Sequence, residues 1–130
     1  MTVIMFQHRF APKVADGIKL QTIRRERKKP ILIGEFLLLR KWKDKAYRSK
    51  TEDLATGICI SYRPIIIEAI NLIRIPAQSM MESDLWIGSD TARNDFAKAD
   101  GFDDWADMRT WFEAEHSLPF TGVLIKWRIP

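Results

Sequence analysis

Apolar positions along this chain form short, strand-length runs separated by polar stretches. The predicted strands are 2–6, 34–42, 57–62, 64–75, 84–88 and 122–129. In the second of them Phe36 and Leu38 alternate with Leu37 and Leu39, so the two pairs should face opposite sides of a sheet. Between the second and third, the polar stretch 43–56 is expected to form a loop or a ragged hairpin.

Two short segments have apolar residues three or four positions apart, which is typical of helices. The first, 11–17, carries Pro12 in its opening turn, where a proline is well tolerated. The second, 90–101, has Asp90 as a candidate N-cap and Gly101 as its stop signal. Both are therefore predicted to be short helices.

The clearest helical pattern covers 103–115. Asp104 is the candidate cap of this helix, and Trp105, Met108 and Phe112 make an apolar stripe along one side. Such a stripe indicates a helix that packs one face against a core.

Five or six strands with few helices and no regular strand–helix alternation indicate an α+β fold. The chain of 130 residues, 46% hydrophobic and 29% charged, fits one domain spanning 1–130. A small β-barrel or a strongly curled sheet with short flanking helices is expected, because curling hides sheet edges.

The net charge of +4 hides an uneven distribution. Residues 19–50, called here the basic segment, contain twelve lysines and arginines against three acids and carry +9, so the rest of the chain carries −5. Residues 82–115 contain ten acids against three bases. Basic segments attract phosphates and speed encounters with nucleic acid. Charge alone is equally consistent with a solvated surface loop.

Several classes of protein do not fit the sequence. There is no run of 18 apolar residues, so no membrane span is expected, and charge interrupts 1–10 too early for a signal peptide. The single cysteine, Cys59, fits a reducing compartment and a buried packing role, so a cytoplasmic location is expected.

Metal and cofactor motifs are also missing from the sequence. His8 and His116 are the only histidines, and neither belongs to a cluster with ligand spacing. The phosphate-binding and nucleophile motifs rich in glycine do not occur. No metal and no cofactor are expected.

The start of the basic segment, "KLQTIRR", combines Lys19, Thr22 and Arg24. In an extended chain Thr22 and Arg24 would point the same way. A lysine near a threonine hydroxyl can act as its base when burial or neighbouring positive charge lowers the lysine pKa. Spacing alone favours the simpler interpretation, in which Lys19 is solvated and Thr22 pins a turn.

Aromatic residues fall into two groups. Trp105, Phe112 and Trp127 lie on patterns that face a core. The better candidates for stacking on bases adjoin the basic region; they are Phe6, Trp42 and Tyr47.

Three stretches in order resemble the ASCH domain, a branch of the PUA-like superfamily. "MFQHRFAPKVADGIKLQTIRR" resembles its opening, with an apolar strand, a short helix ending in glycine and then Lys-x-x-Thr-Ile-Arg. "PILIGEFLLL" resembles its Pro-x-x-Gly-Asp/Glu strand. "FAKADGFDDWADMRTWF" and "LPFTGVLIKW" resemble the C-terminal half of ASCH proteins common in phages and prophages. The resemblance covers most of the chain and is weakest at 43–90.

The resemblance implies a PUA-like β-barrel of five to six strands with a cleft for RNA or a nucleoside. Some relatives are amidohydrolases that remove the acetyl group from acetylcytidine with a lysine, a threonine and an acid. Carried over by position, the motif falls on Lys19, Thr22 and Arg24, and the acid falls on Asp100. The deacetylases have glutamate where this chain has Asp100, which shortens the reach of the carboxyl group.

The expected function is therefore an RNA- or nucleoside-binding domain whose cleft is lined by Lys19, Thr22, Arg24 and Asp100. The residues expected to contact RNA or substrate are Arg24, Arg25, Arg27, Lys28, Phe6 and Trp42. The alternative is an amidohydrolase with Thr22 as nucleophile, Lys19 as base and Asp100 as proton donor. A ribonuclease and a partner-binding phage protein with a vestigial cleft are further alternatives.

Overall fold

A computed structural model describes residues 1–45 and 50–130. The elements in chain order are β1 (Thr2–Phe6), α1 (Ala11–Ala15), β2 (Gln21–Arg24), β3 (Phe36–Trp42), β4 (Thr51–Ile67), β5 (Ile73–Ile75), β6 (Leu85–Ile87), α2 (Asp90–Ala99), α3 (Trp105–Glu115) and β7 (Phe120–Arg128). One mixed sheet of strands and a few short helices confirm the α+β class.

The sheet is organised around β4. β7 pairs antiparallel along one edge of β4, and the other edge takes β3 near its start and β5 near its end. β1 adds to β3 in parallel, β6 adds to β5, and β2 adds to β7. The seven strands thus branch from a shared central strand.

The expected barrel is wrong, because this sheet is not closed. In the described part of the chain, no ladder joins β2 to β1 or to β6. β5 and β6 are three residues long each, so they cover one end of β4 without reaching round to β2. The sheet also has seven strands, where the sequence pattern predicts five or six.

β4 differs most from the sequence-based expectation. Strand structure begins at Thr51, inside the polar stretch 43–56 that is expected to form a loop or a ragged hairpin, and the antiparallel pairing of Thr51 with Trp42 of β3 matches the hairpin. β4 then continues through Pro64 to Ile67 without a break. Pro64 pairs with Val123 of β7 and lies between the β3 and β5 pairings, where the other edge of β4 has no partner strand among the described residues. A proline is tolerated there because its missing N–H removes no bond to a neighbouring strand.

The helices follow the predictions with one correction. Asp104 caps α3 by accepting from the Asp107 backbone N–H, as predicted. The cap of α2 is Ser89 instead of Asp90. Ser89 has the extended backbone that a cap needs, whereas the Asp90 carboxylate is engaged by Arg93 within the helix.

The core lies between the sheet and the three helices. The predicted stripe of α3 is buried in it: Trp105, Met108 and Phe112. Cys59 is fully buried in the same core as the sequence predicted, and burial raises the pKa of its thiol. None of the described helices has both the length and the apolar character needed to cross a bilayer.

Candidate functional site

A cavity of about 320 Å³ opens between β2 and the turn that joins α2 to α3. Lys19, Thr22, Arg24 and Asp100 all line it, which confirms that the four residues converge. The remaining lining residues are Met5, Phe6, Gln7, Phe10, Ile23, Arg25, Phe102, Trp111, Phe112, Glu115 and His116. This space is called the Lys19 cavity below.

The end of α1 sets the position of Lys19. Gly17 adopts a φ of +72°, a left-handed conformation that reverses the chain after the helix. The backbone N–H groups of Ile18 and Lys19 then both donate to the Lys13 carbonyl. This tight turn directs the chain into β2 and places the Lys19 side chain inside the protein.

Lys19 is 2% exposed, so the expectation of a solvated lysine is wrong. Its Nζ donates to the backbone carbonyl of Asp100 and lies 3.7 Å from Asp100 Oδ2. The ring centroid of Phe10 is 5.1 Å from the same nitrogen. Burial lowers the pKa of Lys19 from 10.5 to about 8, and the Asp100 charge opposes part of that change.

Asp100 ends α2 and is 3% exposed. Its Oδ1 accepts from Gln21 Nε2 at 3.2 Å. Burial raises the pKa of the Asp100 carboxyl, and the Lys19 charge pulls it back. The sequence reasoning missed Gln21, although its place between Lys19 and Thr22 was a usable signal.

Gly101 allows the lysine and the acid to meet. It has a φ of +96°, and a Cβ added there would lie 2.9 Å from Lys19 Cδ and 3.2 Å from Phe10 Cδ1. Glycine is therefore required both by the backbone conformation and by the closeness of the lysine stem.

Gly101→Ala is expected to lower the free energy of unfolding by about 2–4 kcal/mol, through backbone strain and displacement of Lys19. Gly34→Ala is the matched control, because Gly34 has a φ of +89° but nothing within 4 Å of an added Cβ. Gly34→Ala should lower the free energy of unfolding only by the backbone strain, about 1–2 kcal/mol. Urea unfolding measures both, and equal losses would show that the Lys19 contact is unimportant.

Thr22 and Arg24 lie on the same side of β2, as the extended-strand argument predicted. Arg24 Nε donates to Thr22 Oγ1 at 3.1 Å, and its Nη2 donates to the Met5 carbonyl at 2.7 Å. The guanidinium also lies 4.9 Å from the ring centroid of Phe6. Burial lowers the pKa of Arg24, which remains a cation.

The hydrogen bonds distribute the four groups into two pairs. The Lys19 amine contacts Asp100, whereas the Thr22 hydroxyl accepts from Arg24. An accepting hydroxyl keeps its own proton to donate. Thr22 is 4% exposed, within strand β2, so the expectation that it pins a turn is wrong.

His116 and its neighbours form the other wall of the cavity. His116 lies 4.8 Å from the Phe120 ring and 5.6 Å from the Trp111 ring, centroid to centroid. Its Nδ1 is 3.4 Å from Arg25 Nη2. Burial, followed by the Arg25 charge, lowers the pKa of His116. Sequence reasoning considered His116 only as a metal ligand and so missed this aromatic wall.

The other residues predicted to bind RNA or substrate lie in different parts of the structure. Arg25 lines the Lys19 cavity, while Arg27 and Lys28 are exposed on the loop after β2. Phe6 is buried and lines both the Lys19 cavity and a second cavity, which also contains Trp42. The third aromatic candidate of the basic region, Tyr47, lies outside the described residues.

Within 1–45 and 50–130, no group of three or more histidine, cysteine, aspartate or glutamate residues is arranged to hold a metal ion. No family model, no curated protein and no solved structure matches this chain. The assignment of function therefore depends on the site itself.

Proposed function

We propose that this chain is an ASCH-type domain of the PUA-like superfamily that binds RNA or a nucleoside in the Lys19 cavity. The observation that carries the proposal is the buried Lys19–Asp100 ion pair in a cavity that also presents Thr22 and Arg24. Buried charges in a cavity are costly, and such groups cluster where proteins bind or transform ligands.

The aromatic walls supply the second support. Phe6, Phe10, Phe102, Trp111 and His116 surround the polar groups, and bases stack favourably on such rings. A volume of about 320 Å³ lies at the small end of ligand pockets, which suits one nucleoside. The polar groups would hydrogen-bond to the edge of the base.

The basic segment supplies the third support. Arg25 lines the cavity, and Arg27 and Lys28 extend its charge over the exposed loop that follows. If RNA is bound, the phosphates of the nucleotides just outside the cavity would contact these cations.

Charge reversal of this loop tests the proposal. Arg25→Glu and Lys28→Glu, made separately, should weaken binding of mixed-sequence single-stranded RNA at all salt concentrations. Each lost phosphate contact should also reduce the slope of log affinity against log salt by about 0.7. Fluorescence anisotropy between low and moderate salt measures both quantities.

Arg128→Glu is the matched control. Arg128 is exposed and lies five positions beyond Val123, the partner of Arg24 in the β2–β7 ladder. That separation is about 17 Å along the strand. The control should leave the slope unchanged. An unchanged slope in Arg25→Glu and Lys28→Glu would mean that the loop does not touch phosphate, and absence of any RNA or nucleoside binding at low salt would contradict the proposed function.

An amidohydrolase acting on acylated cytidine is the second candidate. One observation favours it: burial shifts the pKa of Lys19 down to about 8 and that of Asp100 up, toward the range useful for proton transfer. In this scheme the Thr22 hydroxyl attacks the amide carbonyl, and neutral Lys19 accepts its proton. Asp100 protonates the leaving amine, and water then hydrolyses the acyl-threonine ester.

A further inference from the structure

A second cavity, of about 360 Å³, adjoins the first. It is called the Trp42 cavity here, and it is lined by Met5, Phe6, Gln7, His8, Arg24, Trp42 and Asp44. Met5, Phe6, Gln7 and Arg24 line both cavities. The two spaces are therefore neighbours that share a wall at the end of β1.

Arg24 is the charged part of that shared wall. Bonds to Thr22 and to the Met5 carbonyl, together with the Phe6 ring, hold its guanidinium in one orientation. Among the described residues, these bonds use two of its five N–H donors, which leaves three for a ligand. A fixed guanidinium with paired donors matches the oxygens of a phosphate.

The Trp42 cavity itself suits a base better than a phosphate. Trp42 lines this space, and indole rings are good stacking partners for bases. The negative charge of Asp44, which also lines it, would repel an anion. His8, whose Nε2 lies 3.3 Å from the Asp44 carbonyl, adds a second polar group there.

We infer that the two cavities are consecutive subsites for one single-stranded nucleic acid. One nucleotide occupies the Lys19 cavity, Arg24 holds the phosphodiester at the shared wall, and the neighbouring base stacks on Trp42. This inference rests on the proposed function and narrows its ligand class from a nucleoside to a strand of at least two nucleotides.

Calorimetric titration with cytidine 3′-monophosphate and the dinucleotide CpC tests the inference. Wild-type protein should bind CpC about five- to a hundredfold more tightly than the mononucleotide, since stacking of one base on an aromatic ring has that effect. Trp42→Ala should bring the ratio of the two affinities close to one, and Trp42→Phe should restore most of it. Deoxy-CpC is the third ligand; equal affinity for it would assign the subsites to any single strand, and weaker affinity would assign them to RNA.

Trp86→Ala is the matched control. Trp86 lies on β6, is 54% exposed, and lines neither cavity, so its removal should leave the affinity ratio unchanged. Circular dichroism of each variant confirms folding, and Trp42→Leu, which removes the aromatic ring with a smaller change in volume, takes the place of Trp42→Ala if the alanine variant fails to fold. Tight mononucleotide binding with no gain for CpC, or a ratio unaffected in Trp42→Ala, would overturn the inference while leaving the proposed function intact. Absence of binding to all three ligands, together with absence of binding to mixed-sequence RNA at low salt, would overturn both.

Discussion

Lys19→Met is expected to lower the free energy of unfolding at pH 7 by about 3–5 kcal/mol, although methionine keeps most of the lysine volume. Lys19 and Asp100 are both almost fully buried and lie within ion-pair distance. Removing the amine leaves a carboxylate in an apolar interior, where Gln21 is its remaining hydrogen-bonded side chain among the described residues. Chemical denaturation of both proteins measures the difference.

Two further variants isolate the charge. Lys13→Met is the matched control, because Lys13 Nζ also donates to a carbonyl of this turn, that of Gly101, but lies in a partly exposed position without a buried acid. Lys13→Met should lower the free energy of unfolding by no more than about 1 kcal/mol. Adding Asp100→Asn to Lys19→Met should restore most of the lost stability, since no unpaired charge then remains. A Lys19→Met protein as stable as wild type at pH 7 would show that Asp100 carries no uncompensated charge in the variant.

The same pair gives a pH dependence with a definite sign. The pKa of Lys19 is lowered to about 8 by burial, so between pH 8 and 10.5 the unfolded chain holds a proton that the folded chain has released. The stability of wild type relative to Lys19→Met should therefore rise with pH across that range. In Lys19→Met the raised pKa of Asp100 works in the opposite direction, so the variant should regain stability as the pH falls through that pKa.

Thr22→Ala is expected to reduce turnover of acetylcytidine by roughly a thousandfold or more, if the protein deacylates this nucleoside. The alanine removes the attacking oxygen and one hydrogen bond to Arg24, whose second bond and aromatic contact remain. Lys19→Met should cause a similar loss. The two losses should not add, because a nucleophile and its base act as a unit. Release of cytidine from acetylcytidine, followed by chromatography, measures the rates.

Conservative variants separate chemistry from packing. Thr22→Ser keeps the hydroxyl and should keep measurable turnover, and Thr121→Ala, an exposed threonine on β7, should match wild type. Asp100→Glu gives the carboxyl group the reach that it has in the deacetylases that the sequence resembles, so it should preserve or raise the rate, whereas Asp100→Asn should lose it. Retained turnover in Thr22→Ala would remove the nucleophile assignment, and failure of wild type to act on acylated cytidine leaves the binding domain as the better account.

Local sequence patterns are sufficient to predict an element when its signals agree with one another, as they do for helix α3. The cap at Asp104 and the apolar stripe of α3 are readable in the sequence because helix periodicity and capping agree there. The polar residues of the cavity are a different case, because spacing alone does not single them out. The resemblance to the ASCH domain, carried by the motif around Lys19 and the acid that precedes Gly101, is what points to Lys19, Thr22, Arg24 and Asp100.

Features that depend on contacts between distant parts of the chain could not be predicted from the sequence. β4 runs through Pro64 because of which neighbouring strands flank it, and that is invisible in a local window. The sequence indicates a solvated Lys19 because lysines usually are solvated, and only its contact with Asp100 explains its burial. The polar composition of the basic segment also predicts that Lys19 and Thr22 lie at the rim of a cleft, where replacing either side chain by alanine would not disturb the core. That prediction is wrong, because both side chains are buried.

The separation of Lys19 from Asp100 by 81 positions has a consequence for the synthesis of the protein. A chain growing from its N-terminus contains Lys19 and Thr22 long before Asp100 and the final strand β7 have been synthesised. Closing so long a loop is entropically costly, and it is compensated only when the sheet and α3 assemble. The Lys19 cavity therefore forms late in biogenesis, and any ligand that contacts both Lys19 and Asp100 would favour the finished fold over incomplete ones by mass action.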